Sequence, residues 1–559
     1  SVAEVFCDVL GVERAGLDDD FFALGGNSLL ATQVAARLGR TFDTTVEVRS
    51  LYDASTVCDL AELLATRVGA GAEPALVPRP KGELVPLAPN QMRFWKVNRI
   101  APEITAHNMV TAFRLRGALD VGALQAAVAD VVARHESLRT IYPEVEGFGP
   151  VQQVLAPEAA GVTLEVEQVA ADRLVERAGE LFRSTFDLTR EVPAVLRLLE
   201  CTEAKDEFVV VVAVYHIAGD GFSVGPMVRD LMLAYDARRR GVAPAWEPLE
   251  VQYTDYAVWQ RERLGSEDDP SSLAAREIQY WKTALDGMPD ELALPRDRPS
   301  PATWSYDMGS WVPIEVSAQR HAQLIDVARR YEVTPFMVVH AALAVLLAEL
   351  SGSDDICIGT PTAGRGRPEV DDLIGMFYNN VVLRTTVDPT ESVKELLAQV
   401  RRRDVDAFAH ATVPIARIAE LVRGPGRARP DRPFYQVSLA FHNMPASTFE
   451  LPDLVMSPLN VDRAISLFEL YFVLSEAHDE HGAPAGLRGV LTYSTAMYDA
   501  ATATRIAARF GEILDAAVLD PTVAVATIQA AGQHRDGRST DTGTGGEFVS
   551  HDSKRSALD

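Results

Sequence analysis

The sequence predicts a two-part chain, a small all-α bundle followed by a larger α/β region in two lobes. Three observations predict it. Apolar residues recur at helical spacing over residues 1–67, Gly and Pro break that pattern over residues 68–85, and strand-like and helix-like runs then alternate to about residue 530. With 559 residues, 47% of them hydrophobic and 24% charged, the chain has an ordinary globular composition and is long enough for more than one core.

In the first part, Val2, Val5, Phe6, Val9 and Leu10 form one helical stripe, Leu30, Val34 and Leu38 a second, and Leu60, Leu63 and Leu64 a third. Residues 68–85 read as a linker. Beyond it, the β-branched runs Phe208 to Val214 and Ile356 to Thr360 predict buried strands, and Ser223 to Arg238 and Pro335 to Leu350 predict helices. Residues 531–559 are polar and rich in Gly, Ser and Thr, the composition of a disordered tail or linker.

Charge narrows the partners. The chain carries 53 basic and 79 acidic residues, a net of −26, which argues against nucleic acid because phosphate binding needs a positive field. Residues 1–67 hold 11 Asp plus Glu against 5 Arg, a net of −6, a surface that a basic patch on a partner enzyme could read or that water simply solvates. No apolar run reaches the roughly 18–20 residues of a membrane span, and no secretory signal pattern opens the chain, so a cytoplasmic location without membrane contact is expected. Cys7, Cys58, Cys201 and Cys357 are far apart in sequence and read as buried apolar residues rather than disulfides or metal ligands. No metal site is expected.

Two stretches carry chemistry. In DDDFFALGGNSLLATQVAARL, residues 18–38, Gly25 and Gly26 permit a tight turn, and Ser28 opens a helix whose apolar stripe begins at Leu29 and Leu30. A serine there is a preferred N-cap. It is also well placed for an anionic attachment, because free N–H groups and the helix dipole favour negative charge. In FVVVVAVYHIAGDGFSVGPMVRDL, residues 208–231, an apolar strand ends at Tyr215 and His216, turns through Ala218 to Gly221 and continues into a helix near Ser223. A histidine at such a strand end is either a satisfied core residue or part of a site.

The acidic stretch, the paired aromatics and Leu-Gly-Gly-x-Ser-Leu resemble a phosphopantetheinyl carrier protein, which implies a 4′-phosphopantetheine arm attached to Ser28 by a phosphopantetheinyl transferase. His-x-x-x-Asp-Gly, formed by His216, Asp220 and Gly221, resembles the motif of condensation domains of nonribosomal peptide synthetases. PLAPNQMRFW (86–95), RHESLRTIY (134–142), YTDYAVWQRERL (253–264), IGMFYNNVVLR (374–384) and GVLTYSTAMYD (489–499) resemble further motifs of that family in the same order.

The resemblance implies a peptidyl carrier at 1–67, a linker at 68–85, and two chloramphenicol-acetyltransferase-like lobes at 86–265 and 266–530, with His216 in a tunnel between them. It also implies an upstream adenylation domain, a downstream acceptor carrier, aminoacyl and peptidyl thioesters as substrates, and joining of an L or glycine donor to an L or glycine acceptor. Two positions depart from the family pattern. Tyr215 stands where the first motif histidine is usual, and strand alternation should point it away from the tunnel. Tyr378-Asn379-Asn380 replaces Val-Asn-Thr and should bring a larger aromatic to the tunnel wall.

Aminolysis of a thioester needs an amine, an activated acyl group and stabilisation of the developing oxyanion, but no enzyme nucleophile. No glycine-rich phosphate loop occurs in the large part. An α-amino group titrates near pH 8, so His216 could position the amine as well as take its proton. Asp220 reads as a residue holding the turn through an arginine, with Arg365, Arg134 and Arg139 as candidates. A catalytically silent docking platform, an acyltransferase using a soluble amine and an epimerase are the alternatives on the same fold.

Overall fold

In the computed structural model the helical stripes of the first part become α1 (Val2–Leu10), α2 (Ser28–Phe42), α3 (Val48–Asp53) and α4 (Val57–Ala65). The structure describes residues 1–536 apart from Ala23, Asn27, Thr45, Glu47, 67–73, Lys81, 424–433, 443–448, Pro452, Asn460 and 462–464. For Ser28, Leu29, Thr32, 449–451 and 532–536 it describes the backbone only. The Ser28 side chain, part of the expected linker and the expected tail from 537 onward therefore lie outside the described residues. The short α3 escapes periodicity because six residues give too few repeats, yet its Leu51 and Tyr52 are buried with Phe6, Phe21, Val34, Leu38, Leu60 and Leu64 in the carrier core.

The two glycines before α2 serve different ends. Gly25 adopts φ 100°, a conformation that side chains resist. Gly26 lies against Phe21, where an added Cβ would come within 2.4 Å of the ring and 2.6 Å of the Phe21 carbonyl oxygen.

The expected linker is tied down along its second half. Leu76 is buried in the core of the first lobe, Trp259 Nε1 donates to Pro74 O at 2.8 Å, and Arg79 N donates to Asp255 Oδ1 at 3.0 Å. Val85–Pro86 then pairs with Gln152 and Val151.

Each lobe is built on a six-stranded mixed sheet. The first runs, in spatial order, Phe449–Leu451, Leu454–Pro458, Asn108–Gly117, Glu207–Tyr215, Ala194–Cys201 and Leu164–Val169; its last pair is parallel and the other pairs are antiparallel. The second runs Asn379–Thr386, Asp355–Thr362, Val437–His442, Leu470–His478, Pro484–Ser494 and Gly309–Val316, with Val437–His442 parallel to both its neighbours and the other pairs antiparallel. Strand Glu207–Tyr215 is buried on both faces. Val209, Val211 and Ala213 meet helix Leu174–Glu180, while Val210, Val212 and Val214 meet helices Val121–Arg134 and Val224–Arg239. That two-sided burial explains a continuous apolar run without alternation.

Two features differ from the expected boundaries. Residues Phe449–Pro458, expected in the second lobe, form the edge of the first lobe's sheet, because a sheet edge is completed by hydrogen bonding regardless of distance along the chain. Helix Val525–Asp536 continues past residue 530, its start anchored by Val525 and Ile528 in the second core. Among the described residues no single helix is long and apolar enough to cross a membrane.

Candidate active site

His216 follows the last residue of the central strand, and its backbone N–H extends the ladder by donating to His107 O at 2.9 Å. The alternation stops there. Tyr215 is buried in the core of the first lobe, with its hydroxyl donating to Phe94 O at 3.2 Å, whereas His216 is half-buried and faces a cavity. The imidazole stacks on Phe94 at 5.2 Å between ring centroids and lies 5.5 Å from the Tyr378 ring. Its Nδ1 is 3.1 Å from Gly219 O. A carbonyl oxygen only accepts, so Nδ1 carries the proton and Nε2 is the basic nitrogen.

Asp220 is fully buried. It caps the turn that opens helix Val224–Arg239, with Oδ1 accepting from Ser223 N at 2.9 Å. Arg365 Nη2 reaches the same oxygen at 3.2 Å, and Oδ2 accepts from Phe377 N at 2.9 Å and Tyr378 N at 3.2 Å. Among the three candidate arginines, Arg365 is the one at Asp220; Arg134 pairs with Asp230 at 2.8 Å and Arg139 with Glu136 at 3.7 Å. Arg365 also stacks on Phe377 and donates through Nη1 to Val370 O at 2.7 Å and Leu373 O at 2.9 Å. Gly364, at φ 64°, lets this segment approach Phe377 O, which an added Cβ would meet at 2.0 Å.

Residues 373–378 thus form a strap that leaves the second lobe and runs across the first, and the motif stretches supply the groups that hold it. Ser137 Oγ donates to Ile374 O at 2.7 Å, Ser223 Oγ lies 3.0 Å from Gly375 O, Tyr253 OH donates to Met376 O at 2.7 Å, and Asn90 Nδ2 donates to Tyr378 O at 3.0 Å. Buried backbone carbonyls need such partners, which is why polar residues recur in the motifs.

Gly221 has a reason other than the turn. Its φ lies outside the positive range, an added Cβ would meet nothing within 4 Å, and the residue lines the cavity. Missing a side chain there keeps space open beside His216. His107, absent from the sequence-based candidates, lies under the site, with its ring 5.1 Å from Phe94 and 6.3 Å from Tyr215. Burial holds its imidazole well below the ordinary histidine range, and Nε2 has no hydrogen-bond partner. No motif spacing marked it.

The cavity measures about 1880 Å³. Its lining includes Leu24, Gly25, Gly26 and Leu30 of the carrier together with Asn90, Met109, His216, Gly221, Tyr378 and Asn379. A second polar cluster lies in the second lobe, where His321 Nε2 is 3.1 Å from Glu476 Oε1 and His478 stands nearby. His321 Nδ1 accepts from Gly486 N at 3.3 Å, so Nε2 holds the proton that Glu476 accepts, and the pair is satisfied as a hydrogen bond.

Residues 81–536 match the family described as Condensation domain, and residues 1–64 the family described as Phosphopantetheine attachment site. The chain belongs to the condensation-domain family. It joins a condensation domain to a carrier domain with an attachment site for covalently bound 4′-phosphopantetheine. This condensation domain and its carrier are 40% identical over 520 residues to a dimodular nonribosomal peptide synthase of Bacillus subtilis, covering 93% of this chain and 22% of that protein. They are 38% identical over 521 residues to the isonitrile lipopeptide synthase of Mycobacterium tuberculosis, covering 92% and 20%. Among solved structures, the X-domain from teicoplanin biosynthesis aligns with a TM-score of 0.74 at 33% identity, over 81% of this chain and 99% of that one. A four-domain nonribosomal peptide synthetase bound to AMP and glycine shares the fold, with a TM-score of 0.67 at 22% identity, over 80% and 34%. The chain spans about a fifth of the length of these two curated relatives.

Proposed function

We propose that Ser28 bears the phosphopantetheine arm and presents an acyl donor to His216, where the amine of an acceptor aminoacyl thioester attacks it. The observation that carries this reading is the cavity that joins Gly25, Gly26 and Leu30, beside Ser28 on the helix it opens, to His216. The turn suits the group, since the backbone there opens α2 at a helix N-terminus that favours a phosphodiester. The arm supplies a thioester, which is already activated. In the reaction the C–N bond forms, the C–S bond breaks, and the amine proton ends on the departing thiolate. With Nδ1 tied to Gly219 O, His216 Nε2 is the atom that accepts or orients the amine proton. Asp220 and Arg365 hold the strap that carries Tyr378 to the cavity wall.

The substrates are read as L or glycine donors and acceptors. The partners are a phosphopantetheinyl transferase, an upstream adenylation domain and a downstream acceptor carrier, with no nucleic acid. One observation favours a second reading. The teicoplanin X-domain was also solved in complex with OxyB, at 33% identity to this chain, so a docking platform for another enzyme is the competitor. Loading Ser28 with a donor and supplying an acceptor thioester separates the two by intact mass. A dipeptide product that is lost in His216→Ala supports condensation, and absence of product from the parent chain favours the platform.

A further inference from the structure

The carrier's overall charge and the charge of its contact face have opposite signs. Gln33, Arg37 and Arg40 share one face of α2 by their i, i+4 and i+7 spacing. Gln33 Nε2 donates to Asp371 Oδ1 at 3.4 Å, Arg40 Nη1 is 3.2 Å from Glu369 Oε1, and Arg37 lies close enough to Asp371 to favour its ionised form. On α3, Arg49 Nη1 donates to Asp406 Oδ1 at 3.2 Å, and Tyr52 O accepts from Arg401 Nη2 at 2.5 Å. A carrier of net charge −6 thus presents arginines to three carboxylates of the second lobe.

Two of those carboxylates are largely removed from water. The Glu369 side chain is 8% exposed, with Arg367 Nη2 at 3.6 Å as its other cation, and its Oε2 has no hydrogen-bond partner. Burial pushes the Asp371 carboxyl up to about 6, against the opposing pull of Arg365 and Arg37. A covered carboxylate is costly unless cations meet it, so the same surface that welcomes this α2 penalises one without them.

Resting on the donor-side reading above, we propose that Glu369 and Asp371, supported by Asp406, form a recognition patch that selects the donor carrier by its cations at positions 37 and 40. A carrier with neutral or acidic residues there would leave Asp371 without Arg37 and Glu369 with only the longer Arg367 contact. Discrimination then comes as much from rejecting wrong carriers as from attracting the right one.

The full holo chain tests this by single-turnover peptide formation from a donor on Ser28, compared with the same donor as a soluble pantetheine thioester. Arg37→Glu with Arg40→Glu should slow transfer from Ser28 by about tenfold or more and leave the soluble donor's rate unchanged. Adding Glu369→Arg and Asp371→Arg should restore transfer from Ser28 to within about threefold of the parent. A salt titration needs no change to the buried acids: the Ser28 rate should fall with ionic strength in the parent and much less in Arg37→Gln with Arg40→Gln. Equal Ser28 rates in parent and charge-reversed chains, equal slowing with both donors, or an unchanged salt dependence in the Gln pair overturns the patch. A parent that forms no peptide from either donor overturns the condensation reading itself.

Discussion

His216, Asp220 and Gly221 sit within one turn of chain and fail in different ways when changed. His216→Ala should leave folding and Ser28 loading intact while lowering the peptide-forming rate by roughly 10² to 10⁴, the range for a proton-transfer role, or less if it only positions the amine. Asp220→Ala removes the acceptor for Ser223 N, Phe377 N, Tyr378 N and the buried Arg365, and should cost about 3–5 kcal/mol, read as a lower Tm. Gly221→Ala should fold normally, since its Cβ meets no neighbour, yet slow transfer by narrowing the cavity; a wild-type rate with bulky acyl donors would refute that role. Tyr215→His, which restores the usual family residue in a buried position outside the cavity lining, should change the rate little. His107 gives a pH signature. Held neutral by burial, it takes up a proton only on unfolding as pH falls below about 6.5, so the unfolded state binds more protons and stability declines toward acid. In His107→Gln the fall of Tm between about pH 7 and 5 should be shallower.

Among the elements, the strap at residues 373–378 couples the lobes through backbone groups rather than side-chain packing alone. Tyr253→Phe removes the donor to Met376 O and should cost about 1–3 kcal/mol, the penalty for a buried carbonyl left without its partner. Melting curves of Tyr253→Phe and Ser137→Ala, singly and together, check it, and additive losses would deny that the strap acts as a unit. In the carrier, Gly26→Ala drives a methyl group into Phe21 and should destabilise the turn by about 1–3 kcal/mol, slowing phosphopantetheine loading measured by intact mass.

Over the whole molecule, the tether and the docked carrier bear on the proposed direction of transfer. Residues 74–86 are fastened to the first lobe by Leu76, the Pro74 carbonyl and the Arg79 backbone, while α2 and α3 contact the second. The carrier therefore packs on the second lobe while its linker is held by the first, and its glycine turn lines the cavity that His216 faces. A substrate fixed to Ser28 through a non-cleavable linkage should occupy the donor side and block transfer from Ser28, leaving the acceptor side open to another carrier. Finding that it serves as acceptor would reverse the assignment.

Much of this was legible in one chain of letters, for reasons that are local. Helical stripes mark α1, α2 and α4, the apolar run before His216 marks a strand buried on both faces, and glycines mark turns. Asp220 as a turn-holding residue with an arginine partner was also within reach, because a buried carboxylate needs a cation. Which arginine, however, depends on a loop some 145 residues away. Tertiary structure alone decided that Phe449–Pro458 completes the first lobe's sheet, that His107 lies beneath His216, that Gly221 faces open space, and that an acidic carrier shows a basic face to its neighbour. Those facts turn on which surfaces meet after folding. Periodicity and spacing report how a residue relates to its chain neighbours, whereas burial, counter-charge and hydrogen-bond satisfaction depend on partners that only the closed fold brings within reach.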